Sequence, residues 1–315
     1  MSEPVVTMTG GSGFVGQILR QGLRGYGYRV EVFDRMRGPV VQALRRRYLG
    51  TRDTRLGLGA ARAIHKSQRR LERALVRSRL LRPTWDEIQD LRSALAARFA
   101  GSHAVIHLAG IPHPYAAGVI DEDFWRINYH AAANVFAAAR DAGVRRFIFA
   151  SSAQVYAINA PPRIDQFPIL ETNHLPALEE GQTTYGFLKA EFERYLERHC
   201  PDGATQGISL RLEFPGVLSH QASNFYVSTS IENLVAGFDS ALTAPDSFAF
   251  EAFNLVDAEV DPSIVDVQEF VRSSWPDVPD HTEGNQCLIS TEKAQRQLGY
   301  WPQRDGTYYD HSVLW

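Results

Sequence analysis

Pro4-Val5-Val6-Thr7-Met8-Thr9-Gly10-Gly11-Ser12-Gly13-Phe14-Val15-Gly16, continued by Gln17-Ile18-Leu19-Arg20, decides the fold. A short apolar run rich in β-branched residues reads as a buried strand, and a glycine-dense turn then leads into an amphipathic helix. The glycines at 10, 13 and 16 follow the spacing G-x-x-G-x-x-G. Gly10 permits a tight exit from the strand, Gly13 lets backbone approach a pyrophosphate, and Gly16 lets helix and strand pack closely. Phe14 and Val15 open the helix, whose first N–H groups face an anion. A second apolar strand, Arg29-Val30-Glu31-Val32-Phe33-Asp34, ends in an acid 18 residues after Gly16. Asp34 is placed to accept hydrogen bonds from a ribose and to repel a 2′-phosphate, which favours NAD. Arg35 and Arg37 stand close enough to take a phosphate, so NADP stays open.

At 315 residues the chain is long enough for a two-part domain with a large core. Its two cysteines, Cys200 and Cys287, make no disulfide framework and lack metal-ligand spacing, which points to a reducing cytoplasm. No apolar run approaches the roughly 20 residues of a membrane helix, and the acidic start argues against a signal peptide. The net charge of −3 conceals an asymmetry. Residues 35–82 carry 15 Lys and Arg against two acids, so this stretch holds +13 and the remainder −16.

A compact βαβ unit needs one helix before its next strand, yet about 50 residues intervene here. From Gly57 to Leu81, the positions Ile64, Leu71, Leu75 and Leu81 give a narrow apolar stripe on an Arg-covered helix. Three uses fit: a solvated helical hairpin, an anion-binding lid, and a dock for an acidic partner. Nucleic acid ranks last, because Tyr48 is the sole aromatic of the stretch available to stack bases.

The α/β pattern resumes at Pro83 to Ile88, with a helix expected over Leu91 to Phe99 and a strand over Ala104 to Gly110. His103, His107 and His113 do not converge on one ion, since strand alternation separates them, and no metal is expected. His113 leaves the carboxyl end of that strand, where ligands bind in open parallel sheets, and is either a substrate contact or a plain loop histidine. A long helix is expected from Trp125 through Ala139, then a strand Phe147 to Ala150 that delivers Ser151-Ser152-Ala153-Gln154-Val155-Tyr156 at its end. Tyr185 and Lys189 are four apart and share one helix face. An ammonium beside a phenol favours the phenolate and lowers its pKa. Tyr185 can therefore trade a proton with a carbinol while hydride passes to or from nicotinamide, with Ser152 bonded to the same oxygen and Lys189 also holding the cofactor ribose.

With these residues assembled, the chain resembles the extended short-chain dehydrogenase/reductase family, the NAD-dependent epimerase/dehydratase group, over nearly all its length except 38–82. Thr9-Gly10 to Gly16 is similar to that family's T-G-x-x-G-x-x-G, and His107-Leu108-Ala109-Gly110 to its H-L-A-A cofactor segment. Asn128 resembles its helix asparagine, Ser152 to Tyr156 its S-x-x-V-Y stretch, and Tyr185 with Lys189 its catalytic pair. Arg211-Leu212-Glu213-Phe214-Pro215-Gly216 resembles the strand along the nicotinamide. Asn254 and Thr291 to Tyr300 resemble its C-terminal segments.

The resemblance implies an α/β fold: a doubly wound parallel Rossmann sheet over 1–210, with the Arg-rich helical insertion near 38–82. A smaller substrate-binding part would occupy 211–315, with a strand near 252–256 returning to the main sheet. It also implies a homodimer through helices 128–140 and 185–199. Bound NAD would lie on Gly10, Gly13, Phe14, Val15, Gly16, Asp34, Arg35, Leu108, Ala109, Gly110, Asn128, Lys189 and Pro215, and Tyr185, Lys189 and Ser152 would be catalytic.

The departures bear on substrate. Ala153-Gln154 stand where sugar-nucleotide dehydratases carry Asp-Glu, which argues against elimination. Phe214 replaces the asparagine of diphosphate binders, the loop to Tyr226 is short, and no Lys or Arg occurs from Leu212 to Val271. A buried diphosphate there would lack a cation. The short loop resembles that of uronate dehydrogenases, without their carboxylate-gripping arginine. Glu213 and Glu232 hint at a neutral polyol, ketose or amine-bearing substrate, met by His113, Ser152, Gln154, Glu213 and Phe214. The expectation is an NAD-dependent oxidoreductase on a carbinol or ketone. An epimerase returning its hydride internally is the alternative, then a dehydratase; from another class, a cofactor-sensing binding protein whose Arg-rich arm meets an acidic partner.

Overall fold

The computed structural model describes residues 3–34, 85–116, 119–158 and 163–309. The Arg-rich stretch expected as a helical insertion over 38–82, with Arg35 and Arg37, lies outside the described residues. Residues up to Phe33 and from Arg92 onward make one compact unit.

Its centre is a parallel six-stranded sheet: β1 (Val5–Thr9), β2 (Arg29–Phe33), β3 (Ala104–His107), β4 (Arg146–Ser152), β5 (Gln206–Leu212) and β6 (Phe250–Leu255). The spatial order is β2-β1-β3-β4-β5-β6. Every neighbouring pair is parallel, with Thr9 level with His107 and Ser152 with Leu212. This is the doubly wound Rossmann arrangement. The chain moves outward from β1 to β2, then returns past β1 to β3, so the direction of winding reverses between β1 and β3. Such a switch point leaves a crevice beyond the strands' carboxyl ends, where ligands bind.

Strand alternation explains why both faces are covered. Val6, Met8, Ala104, Ile106 and Ile148 enter one buried cluster, with α1 (Phe14–Gly25) and the Ile231–Leu242 helix packed over it. Val105, Phe147 and Phe149 enter the other, against α2 (Trp85–Phe99), whose Leu95 and Phe99 are buried. Central strands apolar on both faces are what a parallel sheet between helix layers requires. A third cluster joins Tyr156, Phe167, Phe225 and Leu288 beneath the C-terminal segments.

Boundaries differ from expectation in several places. α2 begins at Trp85, not Leu91. β3 stops at His107, so Leu108, Ala109 and Gly110 form the loop beyond it. The helix expected from Trp125 starts earlier, as α3 (Asp121–Phe124), and runs through a π-helical segment, Trp125–His130, into α4 (Ala131–Asp141). No helix among the described residues is long and apolar enough to cross a membrane.

Candidate active site

The glycine turn sits at the switch point. Gly10 has φ 77°, the left-handed region where a side chain is strained. A Cβ there would lie 2.5 Å from the Ala109 nitrogen, so this turn packs directly on the loop after β3. At Gly16 a Cβ would fall 2.4 Å from the Gly11 Cα, which excludes any side chain. Gly13 is different: it is exposed, and an added Cβ would approach only the Gly10 carbonyl, at 3.1 Å. Gly13 caps α1 without a side-chain bond, and no acid occupies the first turn. Open space before uncapped helical N–H groups suits a pyrophosphate. These residues fit a dinucleotide.

Asn128 lies in the π segment, a distortion frequent at functional sites. Its side chain accepts from the Ile111 N–H at 2.7 Å and donates to the Ile111 carbonyl at 3.0 Å. It thus clasps the loop that carries Leu108, Ala109 and Gly110. His113 stands half-buried farther along that loop. His107 is wholly inside: Nδ1 meets Thr9 Oγ1 at 2.6 Å, and burial, with the nearby Lys189 charge, pushes it down to about 3, so the ring is neutral.

Ser152 ends β4, and its hydroxyl accepts from the Gln154 N–H at 3.2 Å, closing the turn Ala153–Tyr156. Opposite it starts α5 (Thr184–His199), capped by Thr183, whose hydroxyl accepts from the Gly186 N–H at 3.1 Å. Two residues the sequence did not single out bring these elements together. Gln182 donates to the carbonyls of Gln154 and Val155 at 2.9 and 3.1 Å. At Gly186 a Cβ would sit 2.4 Å from the Gln154 carbonyl, so only glycine allows the approach. Their signal was present in Gln182-x-x-Tyr185-Gly186, but its meaning depends on a turn nearly 30 residues upstream.

Tyr185 is thereby delivered beside Ser152, close enough for the serine hydroxyl to act on its phenol, with its ring edge-on to Phe124 at 6.3 Å. Lys189, one turn on, donates to the Ala150 carbonyl at 2.6 Å, with its ammonium 5.6 Å from the Tyr185 ring centre. The electrostatics correct one expectation. Burial raises the Tyr185 phenol well above its ordinary range, the Ser152 hydroxyl opposes this, and Glu213 adds to it. The net effect is a rise where Lys189 was expected to bring a lowering, and desolvation brings the lysine's own ammonium down to about 8.

The segment after β5 completes the site. Phe214 has φ 39°, uncommon for a bulky residue and the kind of strain that gathers at binding sites. Pro215 bridges to Thr229, and the adjoining Gly216 lies over Ile18 and Phe14 of α1. Glu213 is buried and accepts from Gln154 Nε2 at 3.2 Å and from Asn224 Nδ2 at 3.2 Å. Burial pushes its carboxyl up to about 7 against those hydrogen bonds. From its ordinary 4.5 to about 7 the folded protein therefore holds a proton the unfolded chain has lost, and stability falls as pH rises through that window. Glu213→Gln is expected to flatten that decline in urea titrations at pH 5 and 8; an unchanged slope contradicts the assignment.

A Rossmann sheet with a glycine turn at its switch point, and a serine, tyrosine and lysine gathered at the end of β4, defines the short-chain dehydrogenase/reductase class. Within it, the family model described as the NAD dependent epimerase/dehydratase family matches residues 6–238, and the chain belongs to that family. An NAD-dependent glucose-6-phosphate dehydrogenase of Haloferax volcanii is 35% identical over 123 residues, 36% of this chain and 45% of that protein. The chain thus matches less than half the length of this relative. Among solved structures, a short-chain dehydrogenase/reductase superfamily protein from Agrobacterium tumefaciens with bound NAD aligns with TM-score 0.59 at 20% identity, covering 95% of this chain and 92% of that one. A UDP-glucose-4-epimerase from Stenotrophomonas maltophila aligns with TM-score 0.62 at 19% identity, over 96% and 94%. A mutated uronate dehydrogenase aligns with TM-score 0.58 at 15% identity, over 95% and 82%. These likenesses concern the fold.

Proposed function

We propose that the protein is an NAD-dependent oxidoreductase acting on a carbinol or ketone of a small carbohydrate-like or secondary-metabolite substrate. The observation that carries this reading is Tyr185 set beside Ser152 at the end of β4, with Lys189 one turn away and bonded to the Ala150 carbonyl. Gly10, Gly13 and Gly16, with Phe14 and Val15 behind them, would receive the pyrophosphate, and Asp34, next in the chain after β2, the adenosine ribose. Leu108, Ala109, Gly110 and Pro215 would flank the cofactor, Asn128 would hold the loop, and Lys189 would reach the second ribose. NAD, when bound, supplies the hydride acceptor and a positively charged ring that favours phenolate.

The chain's own residues handle the proton. Tyr185 is protonated in its buried setting and is ready to donate to a ketone oxygen; in the oxidative direction it must first lose that proton and then, as the phenolate, takes the carbinol proton. Ser152 bonds the same oxygen and holds it toward the phenol. Lys189, whose ammonium burial brings down to about 8, donates one N–H to the Ala150 carbonyl and keeps two for a bound ribose. Ser152→Ala is expected to lower kcat by roughly 10²–10⁴, the worth of positioned acid–base assistance, and to leave NADH affinity unchanged. Turnover of small polyols and ketoses, followed by net NADH change, checks this and separates a dehydrogenase from an epimerase. Full activity of Ser152→Ala contradicts it.

A further inference from the structure

The pair Glu213 and Gln154 is costly as pure scaffolding. Glu213, 5% exposed, is a carboxyl held by amide N–H groups and makes no ion pair among the described residues. Beside it Gln154, also 5% exposed, commits its NH2 to Glu213 and leaves Oε1 buried with no hydrogen-bond partner. Asn224, which braces the carboxyl from the opposite side, is fully buried and fixed by the Ser219 hydroxyl at 2.8 Å. A buried acceptor without a donor, next to a buried carboxyl without a cation, destabilises the fold, and apolar side chains of similar size would pack there at less cost. Local conflicts of this kind gather at functional sites.

Its location gives the conflict a use. Gln154 is two residues from Ser152, whose hydroxyl receives the Gln154 N–H. Glu213 is near enough to Tyr185 for its charge to act on the phenol. Both residues therefore stand beside the catalytic serine and tyrosine, and once Glu213 is ionised the pair offers acceptors with no spare donor of its own.

Resting on the reading above, we propose that Glu213, with Gln154, is a specificity-determining acceptor pair that receives a hydroxyl on the carbon next to the reacting carbinol and turns away an anionic group at that place. The substrate class is a neutral vicinal diol or its ketol. A hydroxyl donates to the carboxyl or to Gln154 Oε1 and satisfies the orphaned acceptor. Above about pH 7, where Glu213 is ionised, a carboxylate there has no proton to give and meets like charge in a desolvated setting, where repulsion is strong. Asn224 positions the carboxyl.

Three probes differ only at the neighbouring carbon: trans-1,2-cyclohexanediol, cyclohexanol and trans-2-hydroxycyclohexanecarboxylate. Their binding to the NADH-loaded protein is read from cofactor fluorescence at pH 8.5, where Glu213 is ionised, so the result does not depend on turnover. The diol is expected to bind at least about tenfold more tightly than cyclohexanol, the worth of one charge-assisted hydrogen bond, and the carboxylate more weakly than either. Glu213→Gln keeps an acceptor and removes the charge, so the carboxylate should gain at least about tenfold on the diol. Glu213→Leu should erase the diol's advantage over cyclohexanol. Thermal midpoints and NADH affinity identify folded variants, and if the leucine variant fails to fold, Glu213→Gln decides alone. Equal binding of the three probes, binding of none, or an unchanged order in Glu213→Gln overturns the proposal. Turnover surviving in Tyr185→Phe would overturn the catalytic reading and leave this ordering standing.

Discussion

Tyr185→Phe is expected to lose roughly 10²–10⁴ in kcat with NADH affinity retained. The substitution deletes one oxygen and keeps the ring, whose edge contact with Phe124 and place among Leu188 and Phe187 hold α5 as before. What disappears is the group that carries the proton and the partner of Ser152. An effect confined to KM would assign Tyr185 to binding alone. Thermal unfolding alongside the kinetics guards against a folding artefact. Burial raises the phenol, so the ketone-reducing direction, which needs the protonated form, should hold its rate to high pH, while the oxidising direction, which needs the phenolate, should climb as pH rises.

The second large effect is on stability. Arg211 and Glu193 form an ion pair at 2.6 Å with both side chains 4% exposed. Glu193 also accepts from the Ser151 hydroxyl at 2.6 Å, and Arg211 donates to the Tyr156 hydroxyl at 2.7 Å. Tyr156 in turn donates to Asn254, which ties β4, β5 and β6 together behind the site. Arg211→Met leaves Glu193 as a buried charge without a counterion and is expected to cost about 3–5 kcal/mol in urea unfolding. The double variant Arg211→Met with Glu193→Leu should recover most of that loss, because no charge then remains buried. Equal loss in both variants would show that packing and the Ser151 and Tyr156 bonds matter more than the ion pair.

Features written in short spacings were legible in the sequence. The run from Val5 to Gly16 carries strand, turn and helix within a dozen residues, and Tyr185 and Lys189 share a face by helical spacing alone. Ser152 was readable because a strand visibly ends there. Features that depend on distant contacts were not. Gly186 is required by a carbonyl of Gln154, and Asn224 matters through Glu213, each set by how loops meet. The expected lowering of the phenol by Lys189 failed for the same reason. Spacing places the lysine near the ring, but only the fold shows its ammonium drawn to Ala150 and the phenol sealed from water. Asn128 resembled a cofactor contact and proves to clasp Ile111, since the loop it holds lies 17 residues away in the chain.

A crystal structure with NAD and a bound ketone tests the account most directly. It should place the ketone oxygen within about 3 Å of both the Tyr185 and Ser152 hydroxyls and its carbon about 3–3.5 Å from the nicotinamide C4. A nicotinamide lying elsewhere, or a ketone oxygen held by other groups with Tyr185 turned aside, would contradict it.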